Sequence, residues 1–258
     1  MTLAVIAFIA FTIDSTTAQK VRASDQDNAE VRDPASNRLF WMSTGRVAAP
    51  GRGSIGIMGA PYFIPWAPYL TFVQGGYTPL EFLQLNMTGS FNYWSLGTKV
   101  QVFPTMGFLQ GVALGADFGF YPQNAGIVSD AHVEALNVTV SFGGEPVEFH
   151  LNAMQVNQGR SNASGSFPTY AQIGMALQLD KSDRGGAKLL GELWYVNNYY
   201  DHGMELGLIL MGIRNYTRSF VWEFAFLVSP TLSFGGHTSS SEKLNFIPYP
   251  YLSFMWFI

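Results

Sequence analysis

The chain has no cysteine and little charge. Without thiols it can form neither disulfides nor thiolate metal sites, so backbone pairing and packing must hold the fold. Asp, Glu, Lys and Arg together make up 12% of the 258 residues, against about 25% in an average soluble domain. The net charge is −4, and no basic patch is interleaved with aromatics, which argues against nucleic acid as a partner. Also missing is any run of about 18 apolar residues of the kind that crosses a membrane as a helix. Yet hydrophobic residues reach 48% and aromatics 15%. The apolar content is therefore dispersed rather than gathered into runs.

Its distribution has a period of two. Val147, Phe149, Leu151 and Ala153 alternate with Glu148, His150 and Asn152, and Leu136, Val138, Val140 and Phe142 alternate with Ala135, Asn137, Thr139 and Ser141. Both are strand patterns, and Gly143, Gly144 and Glu145 join them as a hairpin. Each arm matches the roughly 9 to 11 residues that a tilted strand needs to cross the hydrocarbon core, with one face fit for lipid and one for water. Repeated along the chain, the pattern predicts an all-β transmembrane antiparallel β-barrel. About twelve strands are expected, at 52–59, 69–77, 82–91, 96–104, 108–120, 132–142, 146–156, 169–180, 187–197, 203–213, 218–228 and 246–258. A merged or missed pair would give about ten or fourteen. Alternate connections are short, such as 105–107 and 143–145, and the others are longer, such as 121–131 and 232–245. That asymmetry suits short periplasmic turns and long external loops.

Ahead of the barrel, Leu3 to Phe11 has the length of a signal-peptide core, and cleavage is expected after Ala18. Residues 19–50 are expected to form a polar periplasmic tail and a segment leading into the barrel, with residues 51–258 as the barrel itself. Within 37–46 the chain reads Asn-Arg-Leu-Phe-Trp-Met-Ser-Thr-Gly-Arg, an aromatic knot placed to fold under or into the barrel. The Arg-Leu-Phe, the Thr-Gly-Arg and the glycine-rich first strand after them resemble uncharacterised outer-membrane β-barrel proteins of the Bacteroidota type. The resemblance implies a cell outer-membrane location and a barrel fold, and no activity.

Aromatic residues collect near predicted strand ends, as in interfacial girdles: Tyr62, Trp66, Tyr93, Trp94, Tyr121, Tyr199 and Tyr200 outside, Trp222 towards the periplasm, and Trp256 in the last strand. Leu252, Phe254, Trp256 and Ile258 alternate up to the chain end, similar to the strand by which barrel-insertion machinery recognises its clients. The expected partners are thus outer-membrane lipid, that machinery, and a protein held through the tail or loops.

The motifs for chemistry are weak. Gly51-Arg52-Gly53-Ser54-Ile55-Gly56 fits the dinucleotide fingerprint but lacks the strand before it and the helix after it. Two acid and histidine pairs, Asp130 with His132 and Asp201 with His202, lie near the external rim, where they could activate water. The Ser-Asn-rich stretch 157–162 faintly resembles outer-membrane phospholipases, whose serine needs a lipid-facing histidine; His150 points inward by parity. No cofactor or metal site is expected, and the chain is expected not to be an enzyme.

The inward face is more informative. By parity it carries Lys99, Gln101, Asp117, Glu148, His150, Asn152, Gln172, Lys188, Glu192, Glu205 and Glu223. Acids outnumber lysines there, so a wet lumen would favour cations. The expectation is a narrow channel or facilitated-diffusion pore for hydrophilic solutes with a mild cation preference. The alternatives are a plugged barrel that anchors a partner or envelope assembly, and a hydrolase of the rim or lipid face.

Overall fold

Strict alternation leaves one face of every strand apolar, and closing the sheet on itself removes the two edges that would otherwise expose unpaired backbone. In the computed structural model, which describes residues 31–258 apart from 60–70, 91–92, 121–131, 160–168, 198–205 and 229–248, twelve antiparallel strands form one closed barrel. They are β1 (Gly53–Gly59), β2 (Thr71–Leu80), β3 (Leu83–Gly89), β4 (Trp94–Phe103), β5 (Leu109–Phe120), β6 (His132–Gly144), β7 (Val147–Gly159), β8 (Thr169–Lys181), β9 (Gly185–Asn197), β10 (Leu206–Thr217), β11 (Phe220–Val228) and β12 (Tyr249–Phe257). Each pairs with its sequence neighbour. The barrel closes where Ser54 of β1 lies opposite Phe257 of β12. The described residues contain no helix.

The connections β2–β3, β4–β5, β6–β7, β8–β9 and β10–β11 are short and share one end, which is the periplasmic end in outer-membrane barrels. The outer wall is apolar: Leu96, Leu114, Phe118, Leu136, Leu151, Ile173 and Met211 are all exposed. At the short-turn end Phe142 stacks on Phe149 and meets a tilted Phe108, both at 5.8 Å, and Phe220 lies 5.4 Å from Trp256. Trp94 and Trp256 are exposed on this wall, and Trp222 has the outward parity of Phe220 and Phe224.

Tyr93 departs from the expected girdle. Its ring turns inward over Gly119, where a Cβ would come within 2.4 Å of the hydroxyl, because its odd number gives it the inward parity of Ser95. Tyr62, Trp66, Tyr121, Tyr199, Tyr200 and Glu205 lie outside the described residues, as do Asp130, Asp201, His202 and the expected signal peptide.

Strand ends differ from expectation by a few residues. The consequential case is β10, which runs on to Thr217 and so takes in Arg214, a residue that the sequence pattern left in a turn.

Candidate functional site

Residues 31–48 occupy the lumen. The segment doubles back on itself: Leu39 N–H donates to the Met42 carbonyl at 2.9 Å, Thr44 N–H to the Asn37 carbonyl at 3.1 Å, and Arg38 pairs across the turn with Ser43. The tip of the turn is the aromatic knot. Leu39, Phe40 and Met42 are buried against Leu190, Leu210, Ala225 and Tyr251 of the wall. Phe40 and Trp41 meet Tyr251 edge-on at 5.7 and 5.6 Å, and Trp41 meets Trp194 at 6.0 Å. Nearer the short-turn end, Val31 and Ala35 pack on Tyr216, Val221, Met255 and Phe257.

Polar anchors fix this plug at several heights. Arg214 is the largest: fully buried, it uses all five N–H donors of its guanidinium. Nε donates to Glu223 Oε1 at 2.8 Å, Nη1 to Asp33 Oδ2 and the Ala35 carbonyl, both at 3.0 Å, and Nη2 to the Arg38 and Leu39 carbonyls at 3.1 and 2.7 Å. Lys188 reaches the same Asp33 oxygen at 3.1 Å. Arg38 of the plug completes the network on Glu223 Oε2 at 3.1 Å. Further along, the Trp41 and Met42 N–H groups donate to Glu192 Oε1 at 2.9 and 3.0 Å. Arg46 is ion-paired with Glu148, and Gly45 N–H donates to Ser141 Oγ at 2.6 Å. Gly45 must be glycine here: a Cβ would stand 2.1 Å from the Gly111 carbonyl oxygen. Asn37 and Ala48 both donate to Gln84, Val47 to Gln101, and Lys99 Nζ to the Asn37 carbonyl at 2.8 Å.

This arrangement corrects the expected selectivity filter. Glu148, Glu192 and Glu223 do point inward, but each is occupied by the plug, so they do not present a free negative field to a solute. Lys188 is held by Asp33. His150, Asn152 and Gln172 are also inward and buried, and they are paired within the wall: Ser141 with His150 Nδ1 at 2.7 Å and Asn152 Nδ2 with Gln172 at 2.6 Å. Gln101 and Glu148 border a cavity of about 860 Å³ at the short-turn end. Asp117 and Lys99 border a smaller one beside the plug. Sequence reasoning missed Arg214, Asp33, Arg38 and Arg46; the available signal was two arginines flanking an aromatic knot in a chain with few bases.

Asp33 gives the plug a pH dependence. Burial alone would push its carboxyl up, but the Arg214 and Lys188 charges outweigh burial and hold it well below the usual carboxylate range. A carboxyl depressed in the folded state contributes stability above its unfolded pKa of about 3.9 and loses it as pH falls through the folded value. The difference in urea stability between the native protein and Asp33→Asn is therefore expected to be constant from about pH 7 to about pH 5 and to shrink below about pH 4. Parallel pH profiles for the two proteins would contradict this.

On the outer wall, among the described residues away from the short turns, one imidazole and one carboxylate stand out. His132 and Glu134 at the long-loop end of β6 share the outward parity of Leu136 and Val138. His132 Nε2 is 4.0 Å from Glu134 Oε1, with both side chains about half exposed, and the imidazole stacks on Phe118 at 5.9 Å.

No protein-family profile and no curated protein matches the chain. Among solved structures it is similar to LpxR from Salmonella typhimurium, at 11% identity over 80% of this chain and 99% of that one, with a TM-score of 0.46. It is also similar to OmpT of Vibrio cholerae, at 13% identity over 82% and 78%, with a TM-score of 0.40. The chain itself is an all-β closed barrel of twelve antiparallel strands among the described residues. The likeness is one of fold and assigns no activity. The expectation of a protein that is not an enzyme is withdrawn, because a barrel that carries a histidine and a glutamate together on its outer wall gives no ground for excluding catalysis.

Proposed function

We propose that this protein is an outer-membrane barrel closed by its own N-terminal segment, which serves as a scaffold at the envelope rather than as a standing pore. The observation that supports this most is the full satisfaction of Arg214, deep in the lumen, by plug and wall together. A segment that supplies a carboxylate and three carbonyls to a buried guanidinium leaves no polar path there for a solute. On this reading the outer wall meets lipid, β12 is offered to the insertion machinery, and the chain ahead of Val31 holds a partner or an envelope assembly. No comparison supports the Bacteroidota-type resemblance; the Arg-Leu-Phe and Thr-Gly-Arg that suggested it are plug residues. Ion conduction in a planar bilayer is the test: the intact protein is expected to insert and remain silent.

A second reading, hydrolysis at the lipid face, is favoured by the His132 and Glu134 pair. Glu134 would orient and stabilise the imidazole, and His132 would take a proton from water or a hydroxyl attacking a lipid ester. If so, purified protein releases fatty acid from ester lipids in mixed micelles, and His132→Ala lowers that release at least 100-fold while leaving the barrel folded. Release that is absent in the native protein, or equal in the variant, would rule this reading out.

A further inference from the structure

The lumen is divided lengthwise. Against β8–β12 the plug packs on apolar side chains, but on the β1–β6 side it leaves a polar chamber of about 190 Å³, floored by Asn37, Arg38, Trp41 and Ser43. Glycines on the inner wall shape this chamber. The Asp117 carboxylate lies across Gly97, where a Cβ would come within 1.8 Å of Oδ1, and the Asn137 amide lies across Gly115 at 2.5 Å. Both side chains line the cavity. Unlike the plug anchors, neither has a hydrogen-bond or ion-pair partner among the described residues.

We infer that this chamber is a binding site for one neutral, hydroxyl-rich molecule of monosaccharide size. Its volume sets the scale: about 190 Å³ is the share of roughly six waters, the scale of one small polyol ring. Its charges decide the neutrality. Asp117 and Lys99 both line the chamber and offset one another, Lys99 is already held by the Asn37 carbonyl, and the Arg38 charge is matched by Glu223. What remains is an acceptor pair on Asp117, an amide on Asn137 that both donates and accepts, and the indole of Trp41. The edge-on contacts with Trp194 and Tyr251 fix that ring in place. Hydroxyl groups are served by mixed donors and acceptors, and the C–H groups of a sugar ring are served by an aromatic side chain in the lining.

The site rests on a seated plug, which forms its floor, and the test separates the two. Saturation-transfer NMR is run on the full-length protein in detergent with D-glucose, D-galactose and D-mannose, each at 10 mM. At least one hexose is expected to give a signal, and Asp117→Asn and Asn137→Ala are each expected to weaken its affinity tenfold or more. Asp117→Asn is isosteric, and unchanged heat-modifiable migration in gels checks that the barrels are intact. No signal from any of the three hexoses, or a signal that neither substitution weakens, overturns the site. Loss of the plugged state would register separately, as conductance in the same preparation.

Discussion

Arg214→Met is expected to lower stability by about 3–5 kcal/mol, the cost of breaking a buried charge network from one side. The substitution keeps most of the side-chain volume and removes every donor. Asp33 retains Lys188 and Glu223 retains Arg38, so neither carboxylate is wholly abandoned and the effect should fall towards the lower figure. Of the carbonyls that Arg214 serves, Ala35 keeps the Arg38 N–H and Leu39 keeps Arg38 Nη1, but the Arg38 carbonyl loses its partner, and a buried acceptor left unpaired costs about 1–3 kcal/mol. Removing the opposing charges as well, in Asp33→Asn with Glu223→Gln on the Arg214→Met background, should deepen the loss, because Lys188 and Arg38 are then left as nearly buried cations without their carboxylates. Urea unfolding followed by heat-modifiable gel migration measures all of these. A loss below about 1 kcal/mol, the range of an exposed ion pair, would show that the network does not hold the plug.

The second large effect is on conduction. Leu39, Phe40 and Met42 are the apolar grip of the plug. Replacing all three with glutamate demands burial of three carboxylates beside Leu190, Leu210 and Tyr251, each at a cost of several kcal/mol. The plug should leave its seat while the barrel stays closed through its own ladder. The lumen then fills with water and exposes Glu148, Glu192, Glu223 and Asp117 against Lys99, Lys188 and Arg214. The acids exceed the bases by one, so the opened pore should lean towards cations. The cation preference expected from inward parity thus belongs to the unplugged barrel. An anion-selective opening would contradict the assignment of these wall groups.

The barrel itself was legible because its signal is local: a two-residue period, repeated, with hairpin turns such as Gly143-Gly144-Glu145 between the runs. Parity placed Glu192, Glu223 and His150 on the inside without any knowledge of their neighbours. It also places His132 on the outer wall, although pairing it with Asp130 as a loop residue obscured that. The plug was legible only in outline. The aromatic knot at 37–46 read as a segment folding under or into the barrel, but residues 31–48 have no periodicity, and the wall partners they take, from Gln84 to Ser253, are far away in sequence. Arg214 was lost for a smaller reason, since a strand end misplaced by a few residues turned the central cation of the lumen into a turn residue. Tyr93, just ahead of β4, shows the converse: proximity to a loop suggested the girdle, whereas its parity with Ser95 sets it inside.

Single-channel recording of the intact protein in a planar bilayer, beside the Leu39→Glu, Phe40→Glu, Met42→Glu variant, tests the central claim most directly. A barrel sealed by residues 31–48 should insert without current steps, and the variant should give stable, cation-leaning steps. Steady conductance from the intact protein, equal to that of the variant, would mean that the segment does not close the lumen.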